Sequence, residues 1–341
     1  GYLALFGLTM VVLGKEPLFI LLVIAYASVF GSPALLGFFG LFVLCFVILQ
    51  PYGFETFIPL ALVYAVLWRA RGRALSRFAL ACLAVGLLGL FLVLFPIIHL
   101  AFQDSAQTLW HAFLQPEVRK AIGLSLLSSS ITTLLVALWG IPLAYALARL
   151  EFAGKRWAEA LIDMPILVPQ SVAGIALIGL LGPGSPIGQW LESMQLGVSG
   201  TLAGLAIAQI FVASPFLIKT AMTAFEGVSP ELELASRSLG ASAAGTFLRI
   251  TLPLASRGIL VGAALCFARA ISEFGCVILF AGSPVSAPVL VHTEFLRAGA
   301  AESRPIAVVL LVICLWFFLL LRFGRDLLPF RRAFAPTPVA R

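Results

Sequence analysis

The stretch Ser229-Pro230-Glu231-Leu232-Glu233-Leu234-Ala235-Ser236-Arg237-Ser238-Leu239-Gly240-Ala241-Ser242-Ala243-Ala244-Gly245-Thr246-Phe247-Leu248-Arg249-Ile250-Thr251-Leu252-Pro253 is a polar-to-amphipathic island in an otherwise membrane-like chain. Ser229 and Pro230 read as an N-cap and first helical position, and Glu231 and Glu233 place negative charge at the positive end of the helix dipole. Leu232, Ala235 and Leu239 recur at helical spacing on one face. Gly240 suits the left-handed turn that closes a helix, and Pro253 limits the next one. The pattern predicts two short helices on the membrane surface between two transmembrane spans, a geometry suited to docking.

The rest of the chain makes this island stand out. Its 341 residues are 61% hydrophobic and 11% charged, with a mean hydropathy of +1.09. Soluble domains carry about 25% charged residues, and several runs here reach the ~20 apolar residues that cross a bilayer. The runs are continuous rather than alternating, which excludes a β-barrel. The fold class is therefore an all-α polytopic membrane protein.

The net charge of +7 does not indicate nucleic acid. The basic residues lie mostly in short loops and at the C-terminus, where they orient spans by the positive-inside rule. Cys45, Cys82, Cys266, Cys276 and Cys314 sit in apolar runs and read as small buried hydrophobes. His99, His111 and His292 are too scattered to suggest a metal site. The first residues lack a basic n-region, so no cleavable signal peptide is expected.

Residues 1–75 read as three or four extra hydrophobic helices, interrupted at Gly14–Pro17, Gly31–Pro33 and Gln50–Gly53. The cluster of Arg69, Arg71, Arg73 and Arg77 then marks a cytoplasmic loop. Spans are expected at 79–101, 121–148, 159–181 (with Pro165 and Pro169 inside the helix), 201–222, 256–281 and 305–321. External loops fall at 102–120, 182–200 and 282–304. The island and the tail 328–341, with Arg331 and Arg332, are then cytoplasmic, and Arg119, Lys120, Arg297 and Arg304 go against the rule.

At the island the chain resembles the membrane (permease) subunit of a type I ABC importer. That family's cytoplasmic loop reads Glu-Ala-Ala, three residues, Gly, nine residues, Ile, one residue, Leu-Pro. Ala235, Gly240, Ile250, Leu252 and Pro253 match at that spacing. Leu234 stands where the family has Glu, Ser236 stands where it has its second Ala, and Glu233 lies one residue early. The resemblance runs from about residue 79 to 327. It implies a six-helix core, assigned as residues 76–327, with a coupling helix at 229–245 between the fourth and fifth spans. Within the family, Phe267-Ala268-Arg269-Ala270-Ile271-Ser272-Glu273-Phe274-Gly275 and Ala287-Pro288-Val289-Leu290 look most like the tungstate/molybdate branch. The runs Asp163–Pro169 and Leu181–Gly188 add to this likeness. Sulfate/thiosulfate or ferric-iron permeases are the alternative.

The resemblance implies a cytoplasmic ABC ATPase dimer contacting Ser229, Pro230, Glu231, Leu232, Glu233, Leu234, Ala235, Ser238, Leu239, Gly240, Ala241 and Ser242. It also implies a second copy of the chain and an extracytoplasmic substrate-binding protein. ATP and Mg would belong to the ATPase, because Gly14-Lys15 and Gly154-Lys155 lack the glycine and hydroxyl residues of a phosphate loop. No cofactor is expected on this chain, and it is not expected to be an enzyme. An intramembrane enzyme would need converging His, Asp or Ser groups, and a secondary carrier would normally show internal repeats; neither is visible.

Two polar features inside the spans have open readings. Arg269 and Glu273 lie four apart on one helical face, where an unpaired charge is costly. Arg269 either meets an anionic substrate or forms a structural ion pair with Glu273. Ser125, Ser128, Ser129, Ser130, Thr132 and Thr133 either line an anion path or serve helix packing. Gln170, Ser171, Gln209, Ser214 and Ser272 share that ambiguity. A path that held its ion tightly would not release it, so recognition is expected in the external binding protein.

Overall fold

The computed structural model describes residues 77–327. The expected helices in residues 1–75 and the tail 328–341 lie outside the described residues. Helix α1, Arg77–Phe102, belongs to a compact unit ending at Asp104, and everything from Ser105 belongs to a second unit. Cys82 on α1 is exposed rather than buried.

In the second unit the elements are α2 Ala106–Leu114, α3 Pro116–Arg149, α4 Lys155–Leu167, α5 Gln170–Leu181, α6 Pro186–Ser193 and α7 Leu202–Glu226. They continue with α8 Pro230–Ser238, α9 Ala243–Thr246, a π turn over Phe247–Thr251, α10 Leu252–Ile271, α11 Gly275–Phe280, α12 Ala287–Ala298 and α13 Ala300–Leu327. Among the described residues, Pro116–Arg149, Leu202–Glu226, Ala243–Ile271 and Ala300–Leu320 are long and apolar enough to cross a membrane, and α4 with α5 makes a fifth, bent candidate.

Helix α7 is the spine, packed along α10 and α3. Its buried face is rich in small residues, with Ala206, Ala208, Ala213 and Ala221 all buried. Gly258 and Gly262 of α10 face it so closely that a Cβ at Gly258 would lie 2.4 Å from that of Ala224. Small residues allow this approach, and dispersion contacts then hold helices that gain no hydrophobic driving force from leaving lipid. Val136, Leu217, Ile218, Phe225 and Ile259 fill the α3–α7–α10 junction. A second cluster joins α5, α7 and α11 through Leu177, Leu205, Val212, Val277 and Phe280. A third joins α3, α12 and α13 through Val118, Ile122, Leu290 and Val309. Leu134, Leu138 and Trp316 remain exposed, as suits helices whose surroundings are lipid.

The structure corrects several expectations. Residues 159–181 are not one straight span: α4 and α5 meet at 108°. Pro165 does lie inside α4, but Pro169 stands at the N-cap of α5. Steric clash with a following proline drives the preceding residue out of the helical region, and Val168 sits at φ −74, ψ 125. The expected span 256–281 breaks after Ile271, where the Glu273 carboxylate accepts from Cys276 N at 2.8 Å and starts α11. The three expected loops contain helices α2, α6 and α12. The start of α12 is buried against α3, with Ala287 N donating to Ser125 Oγ at 2.8 Å.

Pro253 does not end a separate surface helix either. Residues Ala243–Ile271 run as one helical stretch through the π turn. There Leu252 N donates to Phe247 O, five residues back. The wider turn absorbs a proline that can neither donate nor fit against the preceding turn.

The α7–α10 approach gives a direct test. Gly258→Val should force the two helices apart, costing about 1–3 kcal/mol as overpacking does, and should lower the melting temperature of the purified protein in detergent. Gly123→Ala, where nothing lies within 4 Å of the added Cβ, should leave it unchanged or slightly raised.

Candidate docking site and buried polar network

Helix α8 is held at both ends by turns. At its start Val228 is buried as an anchor and Pro230 occupies the first turn. Ser229 does not cap the backbone as its position predicts; its hydroxyl donates to the Glu231 carboxylate. Glu231 and Glu233 lie in the first turn and Arg237 in the last, all favourable to the helix dipole. At the far end Gly240 N donates to Arg237 O at 3.0 Å and Ala241 N to Ser236 O at 3.2 Å. This paired closure needs a left-handed residue, and Gly240 has φ +90. Ser242 then caps α9 by accepting from Gly245 N at 3.1 Å.

Helix α8 turns Glu233 and Ser236 toward the protein, where the Ser236 and Thr246 hydroxyls meet at 3.0 Å and Glu233 pairs with Arg149. The rest of its surface is open: Leu232 is 48%, Leu234 61% and the C-cap Leu239 89% exposed, with Glu231, Ala235, Arg237, Ser238 and Gly240 exposed around them. Large exposed leucines on a short surface helix suit a surface covered by another protein.

Glu233, off the family's motif position by one residue, turns out to be the anchor. Its Oε1 accepts from Arg149 Nε at 3.0 Å, Arg149 Nη2 at 2.9 Å and Thr251 Oγ1 at 2.9 Å. Its Oε2 accepts from Tyr145 Oη at 3.4 Å. Arg149 Nη2 also donates to Val228 O at 2.8 Å. Beneath this cluster the rings of Tyr145, Phe225 and Phe247 pack together, with Tyr145 and Phe247 centroids 4.8 Å apart. Sequence reasoning did not single out Tyr145, Arg149 or Thr251. An arginine closing one span and a glutamate opening a later loop on the same side were the only available signal.

Inside the membrane-length helices, three hydroxyls of the run, those of Ser128, Ser129 and Thr132, meet Gln209, which is 1% exposed, while Ser130 and Thr133 bond back to carbonyls of their own helix. Gln209 Nε2 donates to Ala270 O at 3.0 Å and to Ser128 Oγ at 3.2 Å, with Ser129 Oγ at 3.4 Å. Its Oε1 accepts from Thr132 Oγ1 at 3.0 Å. A carbonyl can only accept, so the Ala270 contact fixes which way the amide faces. This one side chain therefore ties α3, α7 and α10. Ser128, Ser129 and Thr132 are all fully buried here, as is Ser125.

Arg269 and Glu273 pair with each other, Nη2 to Oε2 at 2.7 Å, with Glu273 fully buried and Arg269 20% exposed. The Glu273 carboxylate thus serves both the arginine and the start of α11. Gln170, Ser171 and Ser272 are exposed. They lie at the two helix breaks, which touch: a Cβ on Gly275 would sit 2.8 Å from Gln170 Cβ. Ser272 Oγ donates back to Arg269 O at 3.2 Å.

The bundle of membrane-length helices is interrupted where polar residues surface and carries a short surface helix with exposed leucines, an arrangement that suits a membrane transport subunit. Residues 140–331 match the family described as the binding-protein-dependent transport system inner membrane component. The chain belongs to that family, the permease subunits of type I ABC importers. It is 41% identical over 241 residues to a probable molybdenum ABC transporter permease of Haloferax volcanii, covering 71% of this chain and 88% of that one. It is 38% identical over 240 residues to a molybdate/tungstate transport system permease of Pyrococcus furiosus, covering 69% and 91%. A probable sulfate transport system permease of Nephroselmis olivacea is 32% identical over 237 residues, covering 68% and 84%. In fold, the chain is similar to a bacterial ABC transporter involved in alginate import, at TM-score 0.57 and 17% identity, covering 78% of this chain and 99% of that one.

The network makes a prediction that separates packing from transport. Gln209→Leu removes the hydrogen bonds that join α3, α7 and α10, worth about 0.5–1.5 kcal/mol each, while Thr132, Ser128 and the Ala270 carbonyl keep their bonds to Ala206 O, Ser125 O and Glu273 N. The melting temperature in detergent should fall, while the order in which competing anions inhibit residual uptake stays the same.

Proposed function

We infer that this permease subunit imports a tetrahedral oxyanion, molybdate or tungstate, driven by ATP hydrolysis on a separate cytoplasmic ATPase dimer docked on α8. The observation that carries the docking reading is the exposure of Leu232, Leu234 and Leu239 on and beside a helix that Glu233 fixes to the bundle. The 341 residues hold no Gly-rich phosphate loop, so ATP and Mg belong to the partner. The substrate reading rests on the molybdenum and molybdate/tungstate permeases among its relatives; the sulfate permease relatives support sulfate as the second reading.

The working unit is two copies of this chain in the cell membrane, with the ion path between them, α8 and the C-terminus on the cytoplasmic side. A substrate-binding protein delivers the ion at the opposite end, against the loops bearing α2, α6 and α12. Nucleotide binding and hydrolysis switch the path between outward-open and inward-open states. The path candidates are Gln170, Ser171 and Ser272, which are exposed where the two helix breaks meet. Arg269 stands beside them with its charge offset by Glu273. A weakly polar path of this kind lets a dianion pass without trapping it. Ser128, Ser129 and Thr132 act instead as the hydrogen-bonded joint of α3 with its neighbours.

Leu239→Asp places a charge at the most exposed of the three leucines. It should abolish copurification of the ATPase and ATP-driven uptake while the permease melts at its normal temperature; intact copurification would sink the docking reading. Gly240→Asp should also uncouple uptake, because an L-residue is strained at φ +90. Isotope uptake into vesicles should show molybdate and tungstate competing more strongly than sulfate, and the reverse order would overturn the substrate reading.

A further inference from the structure

The Arg149–Glu233 pair does more than a simple anchor requires. Both side chains are largely withdrawn from water, at 14% and 13% exposure, and removing two charges from water is costly. Apolar contacts already fasten this region, since Val228 and Phe225 are buried beside it. What the pair adds is direction. Two nitrogens of a planar guanidinium meet one carboxylate oxygen, and the same Nη2 holds the Val228 carbonyl. A fork of this kind fixes orientation as well as distance.

Helix α8 is also connected along the chain. Helix α8 joins α7 through the turn Gly227–Ser229 and joins α9 through Gly240, around which a Cβ would meet nothing within 4 Å. A push on α8 along the chain must pass through these turns. Through Glu233 it passes directly to Arg149 at the end of α3 and to Thr251 in the π turn. Helix α3 is in turn tied through Ser128, Ser129 and Thr132 to Gln209 of α7, which holds α10.

We propose that Glu233 and Arg149 are positioning residues that transmit displacement of α8 by its docked ATPase to α3 and the π turn. The stroke enters the bundle through this side-chain pair rather than through the chain connections to α7 and α10. This rests on the docking reading above. It locates coupling in a pair 84 positions apart in sequence, not in the contact surface itself.

The test uses the permease reconstituted with its ATPase and binding protein in vesicles, measuring both ATP hydrolysis and uptake. Glu233→Gln and Arg149→Gln should still copurify the ATPase, because the exposed leucines are untouched. Each should lower the anion transported per ATP hydrolysed by about tenfold, the scale of losing a hydrogen bond to a charged group. Arg149→Lys, which keeps the charge, should recover part of that ratio. A merely structural pair would change protein yield and melting temperature but leave the ratio alone. Should Glu233→Gln fail to fold, Thr251→Val removes one donor and should lower the ratio by about twofold. An unchanged ratio in the variants that fold, or loss of ATPase copurification in them, overturns the proposal. Leu239→Asp separates the two ideas: if it blocks assembly while Glu233→Gln keeps a normal ratio, docking stands and the transmission role falls.

Discussion

The Gln209 amide shows the constraint under which this bundle is built. In a low-dielectric interior an unpaired polar group is expensive, and lipid offers no water to relieve it. One buried side chain on α7 satisfies hydroxyls of α3 and a carbonyl of α10 together. Around it the backbones approach through Ala and Gly, so neither packing nor polar satisfaction alone sets the register of these helices. The measured worth of a single such bond in membrane bundles is modest, about 0.6 kcal/mol on average.

The same rule governs the breaks. Backbone that leaves the helix at membrane depth must find partners or face a polar cavity. At Val168–Pro169 the proline removes a donor, and the chain turns through 108°. At Ser272–Phe274 the freed Cys276 N–H is taken by Glu273, whose charge is offset by Arg269. The two breaks lie against each other through Gly275 and Gln170, which brings exposed polar side chains together in an otherwise apolar wall. Arg269 and Glu273 therefore serve helix geometry first, and they leave beside the break a surface that is polar without carrying a strong net charge.

Helix α8 turns Glu233 inward, because Arg149, Tyr145 and Thr251 make the interior side the better place for that carboxylate. A charge matched to those donors fixes the helix's rotation, with Leu232, Leu234 and Leu239 exposed around it. The family's glutamate position is occupied here by Leu234, so an exposed leucine stands where the family pattern places a charge.

Several properties were determined by the sequence alone. Hydropathy defined a polytopic helical membrane protein, since runs this long and apolar have no stable place in water. The spacing of Ala235, Gly240, Ile250, Leu252 and Pro253 marked the family's loop pattern, and Gly240 forecast its own left-handed turn because only glycine takes that conformation without strain. Local physics of this sort is written within a few residues. The tertiary structure decided what depends on distant partners. It decided which face of α8 is free, that Glu233 belongs to Arg149, and that the serines of α3 answer to Gln209. It also decided that Pro169 breaks a span while Pro253 is absorbed by a π turn. A proline creates the same local defect in both places; only the neighbouring helices determine whether the chain bends away or widens and continues.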